Sequence, residues 1–232
     1  MDTATKKETR EGDVMIINRP LPAIFYPVSY TGRRGYLFFK RVFDVLISSI
    51  LILVVLSWLY PLLTLLIRLS SKGGALFIQR RVGLNGKEFK CLKFRTMVVN
   101  KSSDWMDASL DDKRITKIGR LLRSTYIDEL PQLINVLIGD MSIVGPRPHM
   151  LYHHQKFCKE VLHYDRRHWL RPGITGLSQV KGYHGWISSR YHIYCRTKLD
   201  LFYVQKASFK LDVMILVKTI SILFSFNKNI KR

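Results

Sequence analysis

The stretch VFDVLISSILILVVLSWLYPLLTLLI, Val42 to Ile67, decides how this chain is built. It is apolar apart from Asp44, a few hydroxyl side chains and Pro61. As one straight helix, its roughly 26 residues reach about 39 Å, which is long enough to span the hydrocarbon core of a bilayer. The sequence therefore predicts a membrane helix at this position.

Two features of this stretch argue against a simple crossing. Pro61 lacks the backbone donor of a helical hydrogen bond and clashes with the preceding turn, so a kink or break is expected there. Basic residues flank both ends: Lys40 and Arg41, then Arg68 and Lys72. The positive-inside bias therefore places both ends on the cytoplasmic side. Together these features favour a re-entrant helix-break-helix anchor in one leaflet; a buried pair of core helices is the alternative.

Outward from this stretch, the chain is expected to have four parts. Residues 1–36 mix charged, proline and glycine residues without periodicity and indicate a tail or loosely attached arm. They show no apolar region followed by a cleavage site, so no removable signal peptide is expected. The re-entrant helix takes residues 37–70, a small cytosolic domain with membrane-facing helices takes 71–226, and a basic tail takes 227–232.

The charge of the chain limits its partners. In 232 residues, 38 lysines and arginines face 17 acidic residues, for a formal net charge of +21. Such a balance indicates polyanions, phosphate-bearing ligands or the anionic cytoplasmic face of a membrane. The basic residues form no long runs and do not alternate with aromatic residues as in RNA-binding motifs, so nucleic acid is not expected as a partner.

The cysteines indicate a reducing, cytosol-facing location. There are three, Cys91, Cys158 and Cys195, without a Cys-x-x-Cys spacing. Neither a disulfide framework nor a thiolate zinc site is predicted from this pattern. Among the histidines, His149 and His153 are one helical turn apart and His154 follows, but no acidic or thiolate partner lies at ligand spacing, so zinc is not favoured.

The rest of the sequence predicts an α/β fold that is mostly helical. ALFIQRRVG and FKCLKFRTM are typical of two strands, and Asn85-Gly86 between them is a hairpin signal. KIGRLLRSTYIDELPQLINVLIGD predicts two short amphipathic helices joined by a turn. KSSDWMDASLDDKRIT, MSIVGPRPHM and RPGITGLSQVKGY are expected to be loops, and LDVMILVKTISILFSF a short apolar helix that lies on a membrane or the core.

Two adjacent carboxylates, Asp128 and Glu129, lie in the turn between the two amphipathic helices. As structure, Thr125 and Asp128 have the spacing of a capping box, or Asp128 is itself the N-cap with Pro131 in the first turn. As chemistry, a helix N-terminus binds phosphate, and an aspartate held there should stay ionised. An ionised carboxylate can attack phosphorus to give an acyl phosphate if cations screen the repulsion.

The sequence supplies cations for such a site beside glycine and proline turns: Lys93, Arg95, Arg120, Arg123, Arg147 and Arg171. Arg147 lies between Pro146 and Pro148, which fix its backbone at little further conformational cost. Each of these residues alone is typical of a solvated surface charge. Their placement beside turns indicates a phosphate-binding surface.

Five strings in order, KRVFD, FIQRRVG, KFRTM, LRSTYIDELPQLINVLIGDMSIVGPRP and RPGITGLSQVKG, resemble the bacterial sugar transferase family, over about residues 38 to 215. The resemblance implies a monotopic phosphoglycosyl transferase in its short, catalytic-core form. Such an enzyme moves a sugar 1-phosphate from a nucleotide diphosphate sugar, most commonly a UDP-sugar, to polyprenyl phosphate. It releases a nucleoside monophosphate and initiates surface glycan synthesis at the cytoplasmic side of the bacterial inner membrane.

The resemblance also implies roles for single residues. Asp128 is expected to be the nucleophile that forms a covalent phosphosugar, with Glu129 beside Mg²⁺ or positioning the site. Lys93, Arg123, Arg147 and Asp200 match further active-site positions as phosphate and metal neighbours. Two positions depart from the pattern: His149 follows Pro148 where many relatives carry an acid, and Tyr60 precedes Pro61 where serine is common. The sugar, the nucleotide, the glycan pathway and any homo-oligomer are left open, as is a non-catalytic polyanion-binding or scaffold protein.

Overall fold

The computed structural model of the chain describes residues 34–99, 112–185, 187 and 189–229. Residues 1–33 of the predicted arm (1–36), most of the predicted loop at 101–116, and the last three residues lie outside this range. Residues 34–36 of the predicted arm are instead the start of the first helix. Helix α1, Arg34–Leu51, leads through a π-helical turn, Ile52–Leu56, into helix α2, Ser57–Ser70. These 37 residues form the one helix in the described part that is long and apolar enough to cross a membrane.

The sequence predicts a kink or break at Pro61, but the helix continues through this residue. Its winding changes about one turn earlier, in the π-helical turn. Pro61 lies inside α2, and the Ser57 amide bonds the Ile52 carbonyl five residues back. A π-helical turn widens the backbone where the proline ring would otherwise press on the preceding turn. The Ser57 hydroxyl donates to the Leu53 carbonyl (2.6 Å) and the Trp58 indole to the Val54 carbonyl (2.8 Å). Side chains thus bond carbonyls that the altered winding disturbs, which apolar surroundings require.

Both ends of this long helix are fastened to the rest of the protein. In α1, the Asp44 carboxylate accepts from the Ile143 amide (2.9 Å), and Lys40 forms a buried ion pair with Asp212 (2.9 Å). At the end of α2, the Arg95 guanidinium donates to the carbonyls of Ser71 (2.7 Å) and Lys72 (2.6 Å). The two ends therefore dock on one body.

The long helix has two faces of different character. Leu56, Leu63 and Ile67 are buried in a core shared with β2 and α3. The opposite face is apolar and open, with Leu53 at 73% exposure and Leu69 at 75%. A soluble core helix buries such a face, so the open stripe indicates contact with a further apolar phase.

The predicted hairpin is confirmed. Strands β1, Leu76–Val82, and β2, Glu88–Phe94, pair antiparallel, from Leu76 opposite Phe94 to Val82 opposite Glu88. The connection is a 3-10 turn, Leu84–Gly86, in which Asn85 (φ 54°) and Gly86 (φ 77°) are left-handed. Asparagine and glycine tolerate this conformation, which explains why the dipeptide is a reliable signal.

A second, parallel pair is formed by two three-residue strands, β3, Ser142–Val144, and β4, Gly173–Thr175. Both fall within stretches that the sequence predicts to be loops. They pair because each lies against the buried core, where unpaired backbone groups are costly. This pair carries at its ends the PRP loop (residues 146–148) and Arg171.

The remaining elements are mainly helical, so the described part is mostly helical with two small sheets. The predicted helices around the acid pair are confirmed as α3, Lys117–Ser124, and α4, Gln132–Ile138. They are followed by α5, Leu151–Glu160, a 3-10 helix, Tyr164–Trp169, α6, Leu177–Val180, and α7, Arg190–Lys206. The last helix, α8, Phe209–Asn229, is longer than the 16-residue apolar segment seen in the sequence and continues into the expected basic tail.

Candidate active site

The acid pair lies on a 3-10 turn, Ile127–Glu129, between α3 and α4. The turn begins at Tyr126, whose φ of 59° is left-handed and unfavourable for a bulky residue. Backbone strain of this kind persists where surrounding structure fixes it, often at functional sites. The turn places both carboxylates inside the protein, where Asp128 and Glu129 are each 8% exposed.

Neither capping interpretation of the pair is correct. Thr125 is the C-cap of α3, and its hydroxyl donates back to the Leu121 carbonyl (2.8 Å). The N-cap of α4 is Pro131, and no side chain caps that end. Asp128 therefore occupies its buried position without stabilising a helix end, which leaves its carboxylate available for other contacts.

Glu129 is held by two cations. Lys93 Nζ donates to Oε1 (2.6 Å), and the Arg147 guanidinium meets both oxygens (2.8 and 3.4 Å). Burial by itself raises the pKa of Glu129, but Arg147 and Lys93 outweigh burial and hold that pKa well below its usual range. Glu129 thus remains ionised and fixes the directions of Lys93 and Arg147.

Asp128 differs sharply from its neighbour. Its carboxylate accepts no hydrogen bond from any residue that the structure describes, although it lies among the charges of Lys93, Arg123 and Arg147. Burial raises the pKa of Asp128, the Glu129 charge adds to this, and the three cations oppose it. Asp128 thus lies in a buried 3-10 turn rather than at the N-cap of α4, and its pKa is raised above that of an exposed aspartate. The Asp128 carboxylate therefore lies near three cations without a hydrogen-bonded partner among the described residues.

Arg123 reaches the site from α3. Its Nε donates to the Thr96 hydroxyl (2.8 Å), just after β2. Burial lowers the pKa of Arg123, and the Asp128 charge opposes this effect. α3 can approach so closely because Gly119 packs against the Thr96 backbone, where a Cβ atom would collide. The predicted residues Lys93, Arg123 and Arg147 are thus brought together around the acid pair.

The PRP loop, residues 146–148, is held by its carbonyl groups. The Pro146 carbonyl accepts from the Gly173 amide (3.0 Å), and the Pro148 carbonyl accepts from Arg81 Nη1 (2.9 Å). Between them, the Arg147 carbonyl accepts from Arg167 Nη2 (2.7 Å). Prolines offer no backbone donor, so the loop depends on acceptors for its attachment. The result is a rigid support for the Arg147 side chain.

Behind this loop lies a buried polar network, of which the sequence singles out only Asp200 and His149. Asp200 pairs with Arg167 and accepts from the Ser178 hydroxyl (2.8 Å). His149 contacts the Tyr164 hydroxyl, and Arg167 lies 2.8 Å from His149 Nδ1. Burial first, and then the nearby arginines, lower the pKa of His149 well below its usual value, so this histidine is neutral. Tyr164 and Arg167 carry no local sequence signal because, apart from each other, their hydrogen-bonded partners in this network lie 15 or more residues away in the chain.

A further arginine, Arg196 of α7, borders the same network and was also missed. It is 2% exposed and lies 3.3 Å from His149 Nε2. Its other donors bond the carbonyls of Tyr183 (3.0 Å) and Gly185 (3.0 Å). Burial, with Arg147 next, lowers the pKa of Arg196 to about 10. Buried cations thus outnumber buried carboxylates behind the PRP loop, which favours an anionic ligand nearby.

Two predicted substrate-binding residues have other partners. The Arg95 guanidinium is buried against the carbonyls at the end of α2 rather than beside the acid pair. Arg171 donates to the Gly139 carbonyl (2.8 Å) after α4. Arg171 also lines a separate cavity of about 310 Å³ beside α1. Both residues donate hydrogen bonds to backbone carbonyls at helix ends. The local sequence does not predict these partners.

Magnesium fits the acid pair in a restricted way. An ionised carboxylate has about four acceptor positions, and Lys93 and Arg147 use three hydrogen bonds to Glu129. Within the described ranges, no group of three or more His, Cys, Asp or Glu could hold a metal, and the histidines form no zinc site there. Mg²⁺ is often bound through one or two carboxylates together with substrate phosphates. The donor set therefore fits an ion that a diphosphate helps to hold.

A comparison with known protein families identifies the family of this chain. The model of the bacterial sugar transferase family matches residues 35–226, which include the acid pair, the PRP loop and Asp200. This chain belongs to the bacterial sugar transferase family. The family assignment predicted from the sequence is confirmed, and the matched range takes in most of the long α1–α2 helix as well as the globular body.

Three relatives within the family illustrate the likeness. A UDP-glucose:undecaprenyl-phosphate glucose-1-phosphate transferase of Klebsiella pneumoniae is 41% identical over 183 residues, 78% of this chain and 39% of the relative. One of the same name from Caulobacter vibrioides is 42% identical, over 78% of this chain and 68% of the relative. An exopolysaccharide production protein of Rhizobium leguminosarum is 42% identical, over 78% and 92%. This chain thus spans about two fifths of the Klebsiella relative.

Proposed function

We propose that this chain is a phosphoglycosyl transferase of the bacterial inner membrane. It moves a sugar 1-phosphate from a UDP-sugar to undecaprenyl phosphate, giving undecaprenyl diphosphate sugar and UMP. UDP-glucose is the first donor to test, because the Klebsiella and Caulobacter relatives are named for it. The Rhizobium relative is named an exopolysaccharide production protein, which supports a product that enters exopolysaccharide synthesis.

The observation that carries this proposal is the contrast between the two carboxylates. Glu129 accepts three hydrogen bonds from Lys93 and Arg147, whereas Asp128 has no hydrogen-bonded partner among the described residues. A carboxylate can be a nucleophile only if its lone pairs are free and its charge does not repel the phosphate. Three cations around Asp128 meet the second requirement.

In the first step, an Asp128 carboxylate oxygen attacks the phosphorus that carries the sugar. A bond forms between Asp128 and phosphorus, and the bond from that phosphorus to the bridging oxygen breaks. UMP leaves with the bridging oxygen, and the sugar phosphate stays on Asp128 as an acyl phosphate. Lys93, Arg123 and Arg147 stabilise the charge that builds on the phosphoryl oxygens.

In the second step, a phosphate oxygen of undecaprenyl phosphate attacks the same phosphorus. The acyl phosphate bond breaks, Asp128 regains its carboxylate, and the lipid carries the diphosphate sugar. Magnesium, when bound through Glu129 and the substrate phosphates, would supply further charge neutralisation at the diphosphate. The protein's own part is to hold Asp128 near the phosphorus and to keep Lys93 and Arg147 directed at it.

The pH dependence of this reaction follows from the raised pKa of Asp128. Only the ionised carboxylate attacks, so kcat/KM is expected to fall as pH drops, at a higher pH than for an exposed aspartate. Arg123→Gln removes a charge that favours ionisation and should move this acid limb to still higher pH. A pH profile measured for both proteins checks the prediction. A limb that stays in place, or moves to lower pH, would contradict it.

The monotopic arrangement of the anchor belongs to the same proposal. A helix that crosses a bilayer separates its ends by about 30 Å of hydrocarbon. Here both ends are hydrogen-bonded to one body, through Asp44 and through Arg95, while the outer face is apolar. These contacts support a helix that enters the cytoplasmic leaflet from one side, where the site can meet both a lipid phosphate and a soluble nucleotide sugar.

The side on which each helix end lies can be measured by cysteine labelling. Arg34→Cys and Lys72→Cys place thiols at the two exposed ends, in a background with Cys158 and Cys195 replaced by serine. Both are expected to react with an impermeant maleimide in inside-out vesicles and not in spheroplasts. A separate Cys195→Ser protein that keeps the exposed native Cys158 is the matched marker for the face of the globular body. Labelling of one end from the periplasm would show a crossing helix.

The reaction itself is tested by UMP release. Detergent-extracted protein is incubated with UDP-glucose, UDP-galactose or UDP-N-acetylgalactosamine and Mg²⁺, with and without undecaprenyl phosphate. Sustained release that needs the lipid is the expected result. No release with any of these donors would favour the non-catalytic alternative, a membrane-associated protein that binds polyanions.

A further inference from the structure

We infer that Arg167 is a positioning residue, which sets the direction of the Arg147 side chain by holding its backbone. The inference rests on the proposed function for its kinetic test. Arg167 lies outside the acid pair and has no hydrogen bond to Asp128 or Glu129. Its effect on the reaction is expected to pass through Arg147, whose carbonyl it bonds.

The first step of the argument is how Arg147 is attached. Pro146 and Pro148 on either side of it have no backbone donors. Among the described residues, the bond from Arg167 Nη2 (2.7 Å) is the single hydrogen bond to the Arg147 backbone. The guanidinium at the other end of Arg147 meets both oxygens of Glu129. A shift of the Arg147 carbonyl would therefore turn this paired contact away from its partner.

The second step is how firmly Arg167 is itself held. It is 1% exposed, and both terminal nitrogens are engaged. One pairs with Asp200 and bonds the Arg147 carbonyl; the other bonds the Tyr164 hydroxyl (3.0 Å) and lies beside His149. The guanidinium carbon also lies 5.1 Å from the centre of the Tyr164 ring. Such a network fixes the guanidinium in one orientation.

The third step is why an arginine is needed. A guanidinium presents its donors in a rigid planar fork, so Nη2 can bond Asp200 and the Arg147 carbonyl while Nη1 bonds the Tyr164 hydroxyl. Lysine would keep the charge that Asp200 requires, but its single nitrogen could not also bond Tyr164, so the donor to the Arg147 carbonyl would lose its fixed direction. Arg167→Lys is therefore the informative variant, because removal of the charge would leave Asp200 buried and unpaired and would endanger folding.

A double-mutant cycle of Arg167→Lys and Arg147→Lys tests the inference through kcat/KM for UMP release. Arg167→Lys alone is expected to lower kcat/KM by about tenfold to a hundredfold, as for a misplaced catalytic group. In the Arg147→Lys background, the same change should cost less than about threefold, since the fork on Glu129 is already lost. Arg166→Lys is the matched control, because it is the same substitution at a neighbouring arginine. The Arg166 guanidinium lies over the Trp169 ring. Equal losses in both backgrounds, or no loss in the wild type, would overturn the inference.

The same cycle measured by thermal unfolding needs no substrate. Each single variant is expected to lower Tm, and the double variant should fall short of the sum by roughly 2–4 °C, as for about 1 kcal/mol of coupling in a protein of this size. Strict additivity would contradict the inference. An inactive wild type whose variants melt non-additively would refute the proposed function and leave the positioning role of Arg167 in place.

Discussion

Asp128→Asn is expected to abolish turnover, by at least about a thousandfold in UMP release, while Tm stays equal or rises. The amide cannot form the acyl phosphate, so the first step has no nucleophile. Stability should not suffer, because Asp128 makes no hydrogen bond within the described ranges and burial disfavours its charge. UMP release and thermal unfolding, measured on the same preparation, check both parts.

The matched control for this variant is Asp165→Asn. Asp165 is an exposed aspartate on the 3-10 helix Tyr164–Trp169, and its replacement changes the net charge of the protein by the same amount. It should leave UMP release within about twofold of the wild type, as for ordinary surface positions. Retention of substantial turnover by Asp128→Asn would remove the covalent mechanism from consideration.

Glu129→Gln is expected to show the opposite balance, a large loss of stability together with a loss of activity. Glutamine leaves Lys93 and Arg147 buried without their counter-charge, and breaking a buried ion pair typically costs about 3 kcal/mol or more. In a protein of this size, that corresponds to a fall in Tm of roughly 6–12 °C. Activity should fall as well because the two cations lose their orientation.

An added ligand distinguishes this account from a general packing defect. UDP supplies negative charge where Glu129→Gln lacks it, so saturating UDP should raise Tm of the variant more than Tm of the wild type. Differential scanning fluorimetry in detergent, with uridine as the uncharged control, measures the difference. Equal shifts in both proteins, or a variant as stable as the wild type, would show that Glu129 does not hold the two cations.

Part of the fold could be predicted because its signals are local. Asn85-Gly86 defines the hairpin by the left-handed backbone that these two residues tolerate. The two amphipathic helices are predicted by their hydrophobic periodicity. The turn that carries Asp128 and Glu129 is indicated by Pro131. The π-helical turn and the three-residue strands β3 and β4 could not be predicted, since they depend on contacts between distant segments.

The same distinction applies to the site. Lys93 near the end of β2, Arg123 in the last turn of α3 and Arg147 in the PRP loop converge on the acid pair, as predicted from the sequence. In sequence, Arg95 and Arg171 resemble the three site cations because they too stand beside turns. In the structure they instead bond carbonyls at helix ends. The raised pKa of Asp128 could not be predicted from the sequence either, because the spacing of residues does not show how deeply a carboxylate is buried.

The most direct test of the central claim is the intact mass of the protein after brief incubation with UDP-glucose and Mg²⁺ in the absence of undecaprenyl phosphate. The account predicts an added mass of one hexose phosphate, located on the peptide that contains Asp128, lost on addition of undecaprenyl phosphate and absent from Asp128→Asn. Lipid-dependent UMP release from a wild type that never carries this adduct, or an adduct on another residue, would contradict the account.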